Sequence, residues 1–196
     1  IRRILDFLSF MVTAFVSGLF EKRPDVIVAT SPQFFAAVSG WTLGFVRRLP
    51  FVFELGDLWP ASIAAVGAIR YNFVLRMVEY LELFLYNHSA SVVALTAAFK
   101  INLVSRGIPS AKIAVVLNGV DLWRYGPRQK DKNLCNEWKM NGKFVIGYIG
   151  THGMAHSLAN ILDAAEILKN HSNILFVFVG AGAEKLNLIK KTKQRN

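Results

Sequence analysis

The chain has 196 residues and a formal net charge of +10, yet only 18% of it is charged while 53% is hydrophobic. That length suits one domain or two small ones, and the apolar share is ample for a buried core. The basic balance favours anionic partners. No Lys/Arg-rich element interleaved with aromatics is present, which argues against nucleic acid. The single cysteine, Cys135, excludes an internal disulfide and fits a reducing compartment.

The first stretch, Ile1 to Phe20, is strongly apolar, with Asp6, Ser9, Thr13 and Ser17 spaced to fall along one helical stripe. It is too short and too polar for a comfortable membrane span. It reads either as a helix covering a sheet or as a helix on an anionic membrane surface, with Arg2, Arg3, Lys22 and Arg23 meeting lipid phosphates. Arg23-Pro24-Asp25 is a turn, and Val26 to Ala29 a short strand. Ser31 and Pro32 suit the N-cap and first position of a helix running to about Arg48. Phe51 to Leu55 is the next strand. Gly56-Asp57-Leu58-Trp59-Pro60 and an Ala/Gly-rich connection then lead to a helix from Tyr71 to Tyr86. Its expected apolar face is Phe73, Val74, Met77, Val78, Leu81, Phe84 and Leu85. Ser91 to Leu95 is a strand, Thr96 an N-cap, Ala97 to Arg106 a helix stopped by Gly107, and Ile113 to Leu117 another strand.

Strand and helix alternate through this part, which implies a parallel sheet with right-handed crossovers. From Leu122 to Gly142 the chain becomes polar and irregular and reads as a linker. Phe144 to Ile149 is then a strand, Gly150-Thr151-His152-Gly153 a glycine turn, and Leu158, Ile161, Leu162 and Ala165 resume helical spacing. Strand, glycine turn and helix N-terminus form a geometry that binds phosphate. A similar unit follows, with strand Ile174 to Val179, turn Gly180-Ala181-Gly182 and a helix from Ala183. The expected organisation is therefore α/β, with a lobe over 1–121, a linker over 122–142 and a second lobe from 143 to 196. Two such lobes leave a cleft suited to a nucleotide-bearing ligand.

Glu54 lies on an otherwise apolar strand, where an unpaired carboxylate is costly to bury, so it has a partner or faces a cleft. Asp57 either caps the turn before Trp59 or serves a site. Asn118 and Asp121 are expected to fix the turn into the linker, and Phe34, Phe35, Phe51 and Phe53 to be core. His88, His152, His156 and His171 are scattered and no zinc spacing is present, so no metal is expected.

The segments RPDVIVATSP, PFVFELGDLWPASIAAVGA, LTAAFKINLVSRGIPSAKIAVVLNGVD, YIGTHGMAHSL and FVGAGAEKLNL occur in an order and at distances that resemble bacterial family-4 glycosyltransferases over nearly the whole chain. Within these it is similar to the aminosugar or fucosamine transferases of capsule and O-antigen synthesis. The resemblance implies a GT-B fold of two Rossmann-like parallel-sheet domains, both incomplete here. The first domain would handle the acceptor and the second a nucleotide-diphosphate sugar. It further implies metal-independent transfer to a polyprenyl-diphosphate-linked saccharide by an enzyme peripheral to the cytoplasmic face of the inner membrane. Gly150, Thr151, His152, Gly153 and His156 fall on the donor-phosphate loop, with Thr151 and His156 near places where relatives carry Arg and Lys. Gly180 and Gly182 fall on the next donor-side loop. Glu54 and Asp57 fall where acceptor-side or catalytic polar groups are expected, and Gly56 where relatives often have Arg. The first glycine loop and a pair of donor-binding glutamates would lie outside Ile1 to Asn196. The chain is thus expected to be a fragment, inactive alone. A nucleotide-sugar epimerase of the same architecture and a non-catalytic membrane-associated scaffold are the alternatives.

Overall fold

The computed structural model describes residues 2–32, 34–58 and 73–195, apart from the side chains of residues 2–4. It divides into two compact units, Ile1–Val120 and Asp121–Asn196. Trp59, Pro60, the Ala/Gly-rich connection and the expected helix start at Tyr71 lie outside the described residues.

The first unit contains α1 (Arg2–Phe20), β1 (Ile27–Thr30), α2 (Phe34–Arg47), β2 (Phe51–Leu55), α3 (Phe73–His88), β3 (Ser91–Ala94), α4 (Ala97–Ser105) and β4 (Ile113–Val115). The strands pair in the order β1-β2-β3-β4, all parallel. Sequential order with right-handed crossovers puts the connecting helices on one face of the sheet. Strand β2 shows the consequence. Phe51, Phe53 and Leu55 point into the core with Phe34 and Ala37 of α2, Leu85 and Tyr86 of α3, and Leu103 of α4, while Glu54 is exposed. Phe35, also expected in the core, is half-buried and stacks on Phe7 at 6.4 Å. Thr96 caps α4 as expected, its hydroxyl accepting from Phe99 N at 3.1 Å.

Three expectations change. Helix α1 packs on α2, where Phe7 meets Phe35 and Gly18 lies against Leu43. The Arg47 guanidinium donates to the Gly18 and Glu21 carbonyls at 2.6 and 2.9 Å, satisfying acceptors that the end of a helix leaves open. Second, Ser31 does not cap α2, which starts at Phe34; its hydroxyl is bound across the sheet edge instead. Third, the buried stripe of α3 is Leu75, Glu82, Leu85 and Tyr86, whereas Phe73, Val74 and Met77 are exposed.

The buried face of α3 carries a charged residue with polar partners. The Glu82 side chain is 1% exposed and accepts from the Tyr86 hydroxyl at 2.6 Å and from Arg106 Nη2 at 2.6 Å, while Arg106 also reaches Glu79 at 3.3 Å. A periodicity count treats Glu82 as an outward residue, but its partners on α3 and at the end of α4 let it enter the core. Burial raises the Glu82 carboxyl above its usual range, against the pull of Arg106 and Tyr86. Burial opposes the Arg106 charge too, but the bond and the charge of Glu82 outweigh it and hold the guanidinium protonated. A carboxyl raised on folding contributes stability that is present in acid and lost as pH rises through its raised value.

In the second unit, α5 (Lys132–Glu137) precedes β5 (Phe144–Ile149), α6 (Leu158–Ile167), β6 (Ile174–Val179) and α7 (Lys185–Arg195). Strands β5 and β6 are parallel in register from Phe144↔Ile174 to Ile149↔Val179. Leu158, Leu162 and Leu188 form a small core with Tyr148 and Phe178. The stretch expected as an irregular linker holds α5. Asp131 caps it, accepting from Asn133 N and Leu134 N at 2.8 and 3.1 Å, and Cys135 is buried. Sequence polarity hid this turn because one face of a six-residue helix needs only one or two apolar side chains.

Removing Arg106 strands the Glu82 carboxylate. Arg106→Leu is expected to cost about 3–5 kcal/mol at neutral pH. The loss should shrink well below pH 4.5, the ordinary value for this carboxyl, where Glu82 is neutral. Urea unfolding at the two pH values checks both statements.

Candidate functional site

In a parallel α/β sheet the loops leaving the carboxyl ends of the strands are where ligands are met. In the first unit that edge carries Thr30 at the end of β1 and Glu54 near the end of β2, which are register partners. The Thr30 hydroxyl donates to Glu54 Oε2. One residue on, Ser31 is buried and its N–H donates to the Glu54 carbonyl at 2.9 Å. The Ser31 hydroxyl accepts from Gly56 N at 3.1 Å and Asp57 N at 3.4 Å and reaches the Asp57 carbonyl at 3.4 Å. The last residue of β1 and the one after it thus hold the Glu54 carboxylate and the backbone of the loop after β2. Neither was singled out for a site, because a Thr-Ser pair at a strand end also reads as a turn or a cap.

Glu54 is therefore exposed and partnered, and Asp57 is half-buried. Glu54 lines a cleft of about 310 Å³ at this edge with Thr30, Gly56, Asn118 and Gly119 among others, whereas Asp57 is not part of its wall. Asn118, expected to be a turn residue, is part of that wall. Gly56 has a local reason for lacking a side chain: a Cβ there would lie 2.8 Å from the Ser31 carbonyl oxygen. The close approach of the β1 loop excludes any larger residue while that loop keeps its place.

The second unit builds its edge differently. The loops after β5 and β6 meet backbone to backbone. Gly150 N donates to the Val179 carbonyl at 2.9 Å, His152 N to the Ala181 carbonyl at 2.8 Å, and Glu184 N to the His152 carbonyl at 2.9 Å. The glycines make this approach possible. A Cβ on Gly180 would lie 1.8 Å from the Gly150 oxygen, and one on Gly182 2.4 Å from the His152 oxygen. Lys185 Nζ closes the far side on the Gly180 carbonyl at 2.9 Å. Gly180 and Gly182 are thus the contact surface of the first loop.

Thr151 and His156 lie on the exposed side of that loop. Tyr148 supports them from beneath: its hydroxyl donates to the Thr151 carbonyl at 2.8 Å and its ring lies 6.0 Å from the His156 ring. Gly153 opens a 3-10 turn, Met154–His156, closed by His156 N on the Gly153 carbonyl at 3.1 Å. Helical spacing resumes at Leu158 as expected, but a separate short turn stands between it and the glycines. Ser157 is left-handed, with φ 46° and ψ 40°, so α6 begins only at Leu158. The exposed residues Met154 and Ala155 thus belong to the short turn, and little of the α6 dipole stands behind their N–H groups.

His152 also departs from expectation. Its ring is 4% exposed and lies 6.0 Å from Tyr148 and 6.4 Å from Phe178, inside the unit. Neither ring nitrogen has a hydrogen-bond partner among the described residues. The imidazole borders a cavity of about 510 Å³ between α6, β6 and α7, with Leu162, Phe178 and Leu188. On the loop surface, His152 contributes backbone alone, and that backbone is the clamp.

Two parallel sheets, each presenting strand–loop–helix units at its carboxyl edge, define an α/β protein of GT-B type. The chain belongs to glycosyltransferase family 4, whose model matches residues 2–124. That match covers the first unit and stops just inside the second. Among solved structures the chain is similar to Anabaena HepE in complex with UDP, with TM-score 0.71 and 19% identity over 96% of this chain and 47% of that one. It is likewise similar to HepE in complex with UDP-glucose, with TM-score 0.66 and 19% identity over 96% of this chain and 47% of that one. S. aureus MnaA, solved with UDP, gives TM-score 0.53 and 16% identity over 97% of this chain and 49% of that one. At such identity the likeness is one of fold. The chain spans about half the length of these structures. No curated protein sequence matches it.

Gly180→Ala is expected to destabilise the second unit by about 1–3 kcal/mol, the scale of forced overpacking, because the added methyl meets backbone. Ala181→Gly, in the same loop, should leave the midpoint within about 0.5 kcal/mol of the native one, the range of a surface change. Chemical denaturation of both variants tests the backbone clamp.

Proposed function

We propose that the full-length protein is a glycosyltransferase that moves a hexosyl or aminosugar unit from a nucleotide-diphosphate sugar to a saccharide acceptor. The observation that carries this reading is the clamped pair of loops at the carboxyl edge of β5 and β6, in a chain of family 4 whose fold resembles that of a UDP-binding protein over both units. Thr151, Met154, Ala155 and His156 are exposed on this loop, and in this reading Thr151, His156 and the N–H groups of Gly153, Met154 and Ala155 stabilise the charge that gathers on the departing diphosphate. Gly150, Gly180, Gly182 and the His152 backbone hold the loop in place. Glu54 and Asp57, at the edge of the other sheet, receive hydrogen bonds from the acceptor, one of them from the attacking hydroxyl. No metal is assigned a part.

The acceptor in this proposal is a polyprenyl-diphosphate-linked saccharide of surface-polysaccharide synthesis, such as capsule or O-antigen. The work takes place on the cytoplasmic face of the cell membrane. Among the described residues no helix is long and apolar enough to cross a membrane. Helix α1 nevertheless leaves Leu5, Leu8, Val12, Val16 and Leu19 exposed along one face, ahead of Lys22 and Arg23. An apolar stripe with cations at its end suits a peripheral attachment to anionic lipid.

The test is a panel of nucleotide sugars offered to the full-length protein with lipid-linked acceptor present, read as nucleoside diphosphate released. Transfer from at least one donor is expected, and hydrolysis or isomerisation without transfer would overturn the assignment. By calorimetry, Thr151→Ala and His156→Ala should each weaken UDP binding about tenfold, the scale of one hydrogen bond to a charged group. Native affinity in both variants would remove the loop from the donor site. Co-sedimentation with phosphatidylglycerol vesicles should fall as salt rises from 0.05 to 0.5 M, on the order of the range over which surface charges become screened.

A further inference from the structure

The cleft at the edge of the first sheet has a chemistry of its own. Its walls are apolar at Val93, Leu95, Val116 and Leu117 and polar at Thr30, Glu54 and Asn118. Among the described lining residues Glu54 is the one acidic or basic side chain, and none is a Lys or Arg. A phosphate or carboxylate would meet a like charge there, with no cation among the described lining residues to offset it. A neutral hydroxyl would meet a carboxylate able to accept it.

A carboxylate has two acceptor oxygens and, on a free side chain, rotates between them. Here the Thr30 hydroxyl occupies Oε2, and Oε1 has no hydrogen-bond partner among the described residues. Thr30 is fixed in turn by its register opposite Glu54, and Ser31 ties the following residues of the same loop. The carboxylate is therefore held at one oxygen by a group whose own position is set by the sheet.

We propose that Thr30 is a positioning residue, which by binding Oε2 of Glu54 leaves Oε1 to accept a hydrogen bond from a neutral sugar hydroxyl in the cleft. This rests on the reading that Glu54 serves the acceptor, and it deepens that reading. The cleft takes the uncharged sugar ring of the acceptor, and any diphosphate on that acceptor lies outside it. The pairing costs little to set up, because one strand-end hydroxyl is already where the register puts it.

The experiment uses full-length protein titrated with methyl β-D-glucopyranoside and followed by saturation-transfer NMR. The variants are Thr30→Val, Thr30→Ser, Glu54→Gln and the Thr30→Val/Glu54→Gln double. Valine keeps the shape and the strand preference while removing the donor. Thr30→Ala replaces it if the valine protein does not fold. Thr30→Val should weaken binding at least fivefold and Thr30→Ser should restore it. Glu54→Gln should weaken it about tenfold, and the double variant should be no weaker than Glu54→Gln alone, since coupled residues are not additive. A native-like Thr30→Val, or losses that simply multiply in the double variant, would overturn the positioning role while leaving Glu54 as an acceptor residue. Native binding by Glu54→Gln, or no binding by the unmodified protein, would overturn the acceptor reading of the cleft and this inference with it.

Discussion

Parallel strand pairing is the constraint from which the other features of this chain follow. It sends every strand of a sheet toward the same edge and obliges each connection to return across a face. Helices α2, α3 and α4 make those returns in the first unit and α6 makes one in the second. The loops leaving β1, β2 and β4 are thereby gathered at one edge, and those leaving β5 and β6 at another. Residues distant in sequence, such as Thr30, Glu54 and Asn118, share a wall for that reason.

The two edges are built by opposite means. In the first unit side chains do the holding: the hydroxyls of Thr30 and Ser31 fasten the loop that carries Glu54 and Asp57. In the second, side chains are removed so that backbones can touch, and Gly180 and Gly182 lie against Gly150 and His152. The difference suits the chemistry proposed for each. Sugar hydroxyls are recognised by oriented side-chain acceptors, while a diphosphate is met by backbone N–H groups that need a close and fixed approach.

The interior of the first unit shows how polar groups can occupy a buried face that apolar periodicity does not mark. Glu82, Tyr86 and Arg106 form a satisfied buried network between α3 and the end of α4. The network lies on the buried face of α3, together with Leu85, while Phe73, Val74, Met77 and Leu81 are exposed. An apolar count alone places those four inward.

The α/β class, the order of most elements and the two glycine loops were legible in the residues themselves. Strand and helix periods are local properties, and a glycine turn after an apolar run marks a βα junction wherever it occurs. Glu54, too, announced itself as a carboxylate needing a partner. What remained hidden were relationships across the sheet. The short helix at Lys132–Glu137, the break at Ser157, the enclosed ring of His152 and the tie between Thr30 and Glu54 carry no local pattern that separates them from ordinary turns. Each depends on which backbone or side chain another element brings within about 3 Å. Local sequence sets the character of a segment, but only the assembled sheet decides what stands opposite it.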